Sequence, residues 1–135
     1  LIRTYDNDPF LFNIKGSCLC ETGDLNASII SFEKAIALKS DYAEALFNLG
    51  VAHQKLNQPE MAIESYEKAL SIQHAYPRVH HNLGIIFYLK GQLNSAIKCF
   101  EWAVAYSPNY SEAYYSLGLA FQKNRQFEEA KNHFG

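Results

Sequence analysis

The chain is short of excess charge, of cysteine and of long apolar runs, and each shortage removes a class of function. Its 12 Lys and Arg against 14 Asp and Glu leave a net charge of -2. The isoelectric point is near 6.2. Nucleic acid is therefore not an expected partner, since a phosphate backbone calls for clustered Lys and Arg. No apolar run reaches the ~18 residues that span a bilayer, and the N-terminus lacks the basic-then-apolar layout of a signal peptide; no membrane partner is expected. Cys18, Cys20 and Cys99 are an odd number at no disulfide-scaffold spacing. They read as free buried thiols in a reducing compartment, which favours a cytoplasmic location.

Catalytic patterns are missing too. There is no Gly-rich phosphate loop after a strand, no predicted strand, and no Ser, His and acid set with a local signature. His80 and His81 are adjacent, so on a helix they point about 100° apart and cannot chelate one metal. Cys18 and Cys20 diverge for the same reason. Glu128 and Glu129 read as a solvated face. No cofactor, no metal and no enzymatic activity are expected.

What the chain does have is an internal repeat. Asn48-Leu49-Gly50 returns as Asn82-Leu83-Gly84 and, changed at one place, as Ser116-Leu117-Gly118; Gly16, Gly50, Gly84 and Gly118 stand 34 residues apart. A fixed period of this length marks stacked supersecondary units. The frame sets residues 1–8 as the end of a preceding repeat, then repeats at 9–42, 43–76 and 77–110, and a truncated one at 111–135, together one domain. The ends suggest a piece of a longer protein.

Each repeat holds two helical segments. In the second, Leu46, Leu49, Gly50 and His53 fall at the 3, 4, 7 spacing of one helical face. Asn57-Gln58 breaks that helix, Pro59 suits the first position of the next, and Ala62, Tyr66 and Ala69 mark its inner face. The third repeat follows suit with Leu83, Gly84 and Phe87, a Gly91 where positive φ is expected, then Ala96, Phe100 and Ala103, and Pro108 beyond the helix end. Small residues at Gly50, Ala62 and Ala69 let two helices approach, and Phe32, Tyr66 and Phe100 fill the space beside them. A hairpin of this length cannot bury both faces alone, so the units must stack.

This order of Leu-Gly, aromatic, Gly, Ala, aromatic, Ala and Pro resembles the tetratricopeptide repeat. The third repeat supplies Leu83, Gly84, Phe87, Gly91, Ala96, Phe100, Ala103 and Pro108, with His80 at the early aromatic place; the resemblance spans essentially the whole chain. It implies an all-α fold, a right-handed α-solenoid of antiparallel helix pairs. Lys15 at the position of Leu49 and Ser28 at that of Ala62 predict looser packing in the first repeat, and His53 stands where Phe87 and Phe121 stand. The fourth repeat is expected to end inside its second helix, Phe127 to Phe134, without a cap. Phe32, Tyr66, Phe87, Phe100, Phe121 and Phe134 are expected in the core, and Trp102 away from the groove.

The same resemblance places the first helix of each repeat along a concave groove. The candidate peptide-binding residues are Asn13, Phe47, Asn48, Gln54, Lys55, Arg78, His81, Asn82, Tyr88, Tyr115, Gln122 and Lys123, with Ser17, Glu44, Val51, Ile85, Glu112, Ser116 and Leu119 on the same face. Asn48 and Asn82 each offer donor and acceptor, similar to an asparagine ladder that grips a peptide backbone. The plainer alternative is that Asn is simply common before Leu-Gly. A carboxylate clamp for acidic tails is incomplete, with Asn13, Ser17 and Asn82 at three of its positions. The expected function is a scaffold for a protein or peptide ligand. Two alternatives stand beside it: the substrate-recruiting part of a larger enzyme, such as a glycosyltransferase or sulfotransferase, and a self-associating element stacking through Leu1-Ile2 and the Phe127 to Phe134 helix.

Overall fold

The computed structural model describes residues 7–134, with side chains to residue 132. The segment matched to a preceding repeat, and the Leu1-Ile2 end with it, falls almost wholly outside the described residues. Among these there are seven helices and no strand: α1 Pro9–Glu21, α2 Leu25–Leu38, α3 Ala43–Lys55, α4 Pro59–Ile72, α5 Pro77–Leu89, α6 Leu93–Tyr106 and α7 Ser111–Phe134. They gather in two compact units, Leu1–His74 with α1 to α4 and Ala75–Gly135 with α5 to α7. None of these helices is long and apolar enough to cross a membrane.

The helix starts follow local chemistry. Pro9, Pro59 and Pro77 open α1, α4 and α5, where a missing N–H costs nothing. Asp8 caps the first helix: its carboxylate accepts from the Phe10 N–H at 2.9 Å, satisfying one orphan donor of α1.

Three hairpins, α1–α2, α3–α4 and α5–α6, are the tightest packings, each joined by three residues: 22–24, 56–58 and 90–92. The middle residue is left-handed every time, Gly23 at φ 89°, Asn57 at 57° and Gly91 at 78°. That backbone lets the next N–H reach five residues back: Asp24 to Leu19, Gln58 to His53 and Gln92 to Phe87, each at 2.9 Å. The closure is a Schellman motif, which satisfies carbonyls the helix end would otherwise orphan.

Inside each hairpin a ring of the second helix lies on a glycine of the first. Phe32, Tyr66 and Phe100 are at most 1% exposed. A Cβ added to Gly16 or Gly84 would sit 2.5 Å from the ring, and one on Gly50 would press into Tyr66. Ala35, Ala62, Ala69, Ala96 and Ala103 are fully buried beside them. Each buried ring contributes about 1.5–3 kcal/mol by its removal from water. In the first repeat Ser28 is also fully buried, its hydroxyl donating to the Leu25 carbonyl at 2.8 Å, while Lys15 stays exposed. In the second, buried His53 pairs with Gln58 Oε1 at 2.9 Å.

Three expectations are corrected. The fourth repeat does not form two helices, because α7 runs unbroken through the place of the turn. Arg125 stands where Gly23, Asn57 and Gly91 stand; a left-handed backbone costs a Cβ-bearing residue about 1–2 kcal/mol, whereas Arg is a good helix former. Its Nε instead lies 3.2 Å from Glu129 Oε1, one turn on. Phe121 accordingly has no second helix above it and is 49% exposed, as Phe127 is 54%; the Phe134 side chain is outside the described set. The thiols are not buried either: Cys18 is exposed and Cys20 and Cys99 are half-buried, and none of them is in a disulfide.

Candidate functional site

In unit 1 the first helices of two consecutive repeats, α1 and α3, flank a cavity of about 160 Å³. Ser17, Cys20 and Glu21 line it from α1, Asn48, Val51 and Lys55 from α3, and the Phe32 ring closes its floor. Unit 2 has a cavity of about 140 Å³ lined by Ile85 and Tyr88 of α5, Ser116 and Leu119 of α7, and Phe100 below. Five places are common to the two sets, two repeats apart: Ser17 with Ile85, Cys20 with Tyr88, Phe32 with Phe100, Asn48 with Ser116, Val51 with Leu119; Glu21 and Lys55 line the first cavity alone. The geometry recurs and the chemistry changes. The first cavity offers amide, hydroxyl and charges of both signs; the second is walled by Ile85, Tyr88 and Leu119.

A polar relay orients one wall of each cavity. In unit 1 the Asn13 amide donates to the Tyr42 hydroxyl at 3.1 Å, and the Asn48 amide donates to Asn13 Oδ1 at 3.0 Å. In unit 2 the equivalent places hold Tyr110, His81 and Ser116. The His81 ring is 3.2 Å from the Tyr110 hydroxyl through Nδ1 and 3.0 Å from the Ser116 hydroxyl through Nε2. Side chains held in this way are pre-organised toward whatever enters the cavity.

Burial sets the charge state of these relays. It pushes the Tyr42 hydroxyl up from its ordinary value, against the Asn13 hydrogen bond. It also pushes up Tyr110, helped by Glu112 and opposed by Arg78. Burial lowers His81, with Glu112 opposing, because a dry site penalises the charged form. Both tyrosines and His81 are thus neutral near pH 7.

The expected site residues fall into four groups. Asn48, Lys55 and Tyr88 line the cavities, as do Ser17, Val51, Ile85, Ser116 and Leu119. Asn13, Phe47 and His81 are buried, at 6%, 3% and 7% exposure. Asn13 and His81 act on the cavities only through their neighbours, and Phe47 packs its ring 6.0 Å from that of Tyr66. Gln54 and Asn82 are half-buried, Gln54 accepting from the Tyr66 hydroxyl. Arg78, Tyr115, Gln122 and Lys123 are exposed and line neither cavity. Trp102 lines neither cavity and is stacked on Tyr106 at 5.4 Å. Cys20, Glu21 and the tyrosine anchors were missed; the recurrence of Tyr42 and Tyr110 at one place in the repeat was the available signal. Among the described residues no three His, Cys, Asp or Glu side chains gather as metal ligands.

Helix hairpins closed by one turn type, each seating a ring on a glycine, define a helical-repeat protein. The model of the TPR repeat matches residues 16–57 and 84–124, and that of the tetratricopeptide repeat matches 43–76. The chain belongs to the tetratricopeptide repeat family. No curated protein matches its sequence. Among solved structures, a crystal structure of the MamA protein is 26% identical, with a TM-score of 0.84 over 98% of this chain and 73% of that one. The first repeat domain of Spaghetti (RPAP3), bound to an HSP90 peptide, is 18% identical, with a TM-score of 0.85 over 89% of this chain and 95% of that one. The type III secretion chaperone SycD of Yersinia enterocolitica, in complex with a peptide of the translocator YopD, is 18% identical, with a TM-score of 0.79 over 84% and 92%. At such identity the last two share the fold.

Proposed function

We propose that the chain is a non-enzymatic interaction module that holds an extended peptide or partner segment against its first helices. The observation that carries this reading is the recurrence of one cavity at equivalent positions in both units, each with an oriented polar group on its wall. An extended segment has a free main chain to hydrogen-bond and side chains to place in pockets. The Ile85, Tyr88 and Leu119 cavity suits one aliphatic side chain. The cavity of Ser17, Glu21, Asn48 and Lys55 suits a polar or charged one. Asn48 enters not as a free rung of a ladder but as an amide fixed by Asn13. The two similar repeat proteins solved with peptides are consistent with this use of the fold, and three cysteines outside any disulfide fit a reducing compartment such as the cytoplasm.

Selection of a peptide library against the intact chain, followed by cavity-filling variants, tests it. Ser17→Trp and Ile85→Trp are each expected to weaken the selected peptide about tenfold, or ~1.4 kcal/mol, with the helical circular dichroism unchanged. Unaltered affinity in both variants would reject the reading.

A further inference from the structure

Unit 1 carries a larger opening, about 630 Å³, that shares no residue with the first-helix cavities. One wall is the stripe of Glu33, Ile36 and Ala37 on α2, whose spacing of 3 and 4 keeps them on a single helical face, continued by Ser40 in the turn just beyond the helix. The other wall is α4, where Met61, Glu64, Ser65, Lys68 and Ile72 follow the same spacing over three turns, about 16 Å at 1.5 Å per residue. Leu46, Leu49 and His53 of α3 form the floor, and all three are buried. The result is an elongated trough between two helical ridges.

Its surface says what would fill it. Met61 is 49% and Ile72 41% exposed, apolar area that a partner would remove from water. Ala37, Ser40 and Ser65 on the walls are small, so a helix backbone can come close, its ridges meeting grooves of the same period. The rim is acidic. Beside Glu33 and Glu64, an adjoining depression of about 370 Å³ brings in Glu60 and Glu67. The cation between them, Lys68, lies 3.2 Å from Glu64.

We propose that this trough docks a basic amphipathic helix of a partner protein: an apolar stripe at i, i+3, i+4 and i+7 entering between α2 and α4, flanked by Lys or Arg facing Glu33, Glu60, Glu64 and Glu67. The inference is independent of the peptide reading, because it uses other residues.

Met61 is the only methionine in the chain, so a methyl-labelled methionine, with any initiator removed, reports on the trough alone. The probe is a synthetic helix of about 18 residues, some five turns, with Leu on the stripe and Lys elsewhere. Controls are the same composition scrambled and the same pattern with Glu for Lys. Expected is a saturable shift of the Met61 methyl with the patterned Lys peptide only. The affinity should fall about tenfold in Ala37→Trp, and fall again with added salt as the rim charges are screened. Ser71→Trp, at another residue lining the trough, replaces Ala37→Trp if that variant loses its helical spectrum. The proposal is overturned by an unmoved Met61 signal, by equal binding of the scrambled or Glu peptide, or by wall variants without effect. A shift from decanoate but not from the helix would also overturn it, in favour of a small amphiphile.

Discussion

Gly50 and Gly118 hold the same place in the repeat and differ in what lies against them. Over Gly50 sits Tyr66, as Phe100 sits over Gly84, whereas a Cβ on Gly118 meets nothing within 4 Å. At the first two, alanine must push a fully packed ring, and overpacking costs about 1–3 kcal/mol. At Gly118 only the backbone entropy changes, and alanine in a helix gains about 0.5–1 kcal/mol over glycine. Urea unfolding should therefore order the variants with Gly118→Ala above the parent and Gly50→Ala and Gly84→Ala below it. A destabilised Gly118→Ala would mean that this glycine faces a ring as the others do.

At the level of the element, one residue separates a hairpin from a straight helix. Gly23, Asn57 and Gly91 supply the left-handed backbone of three turns; Arg125, at the fourth place, keeps α7 helical and pairs with Glu129. Arg125→Gly should weaken α7 locally by about 1 kcal/mol and remove the penalty on a turn. Amide exchange across residues 122–128 is expected to speed several-fold in that variant while exchange in α5 and α6 stays the same. Equal exchange in both proteins would show that Arg125 is not what keeps α7 unbroken.

For the molecule as a whole, the buried relays tie stability to pH. Burial holds His81 below its ordinary value of 6.5, so the unfolded chain takes up a proton that the folded chain resists. Stability from the neutral ring is fully present above about pH 6.5 and is lost as the pH falls below it, toward the lowered folded value. His81→Asn should reduce that loss, since Asn13 already does the same job between Tyr42 and Asn48. Comparing thermal midpoints of parent and variant at about pH 7.5 and pH 5.5 cancels the other histidines; equal pH dependence in the two would refute the assignment.

What the sequence determined by itself is what repeats in it. The period of the glycines, the Ala and aromatic places and the prolines specify helix pairs, because helical periodicity and turn chemistry are local and are written together three times over. Most of the first-helix residues around both cavities were legible for the same reason, Cys20 and Glu21 being the exceptions. The tertiary structure decided which of those side chains face outward. Asn13 and His81 lie on the expected face yet turn inward to a tyrosine 29 positions on, and no local pattern encodes a hydrogen bond at that distance. It also decided that Phe121 stays exposed, because core burial needs a second surface, and the straight course of α7 past Arg125 leaves none. The trough between α2 and α4 belongs to neither helix: its walls are ordinary amphipathic stripes, and only their placement over α3 makes a site.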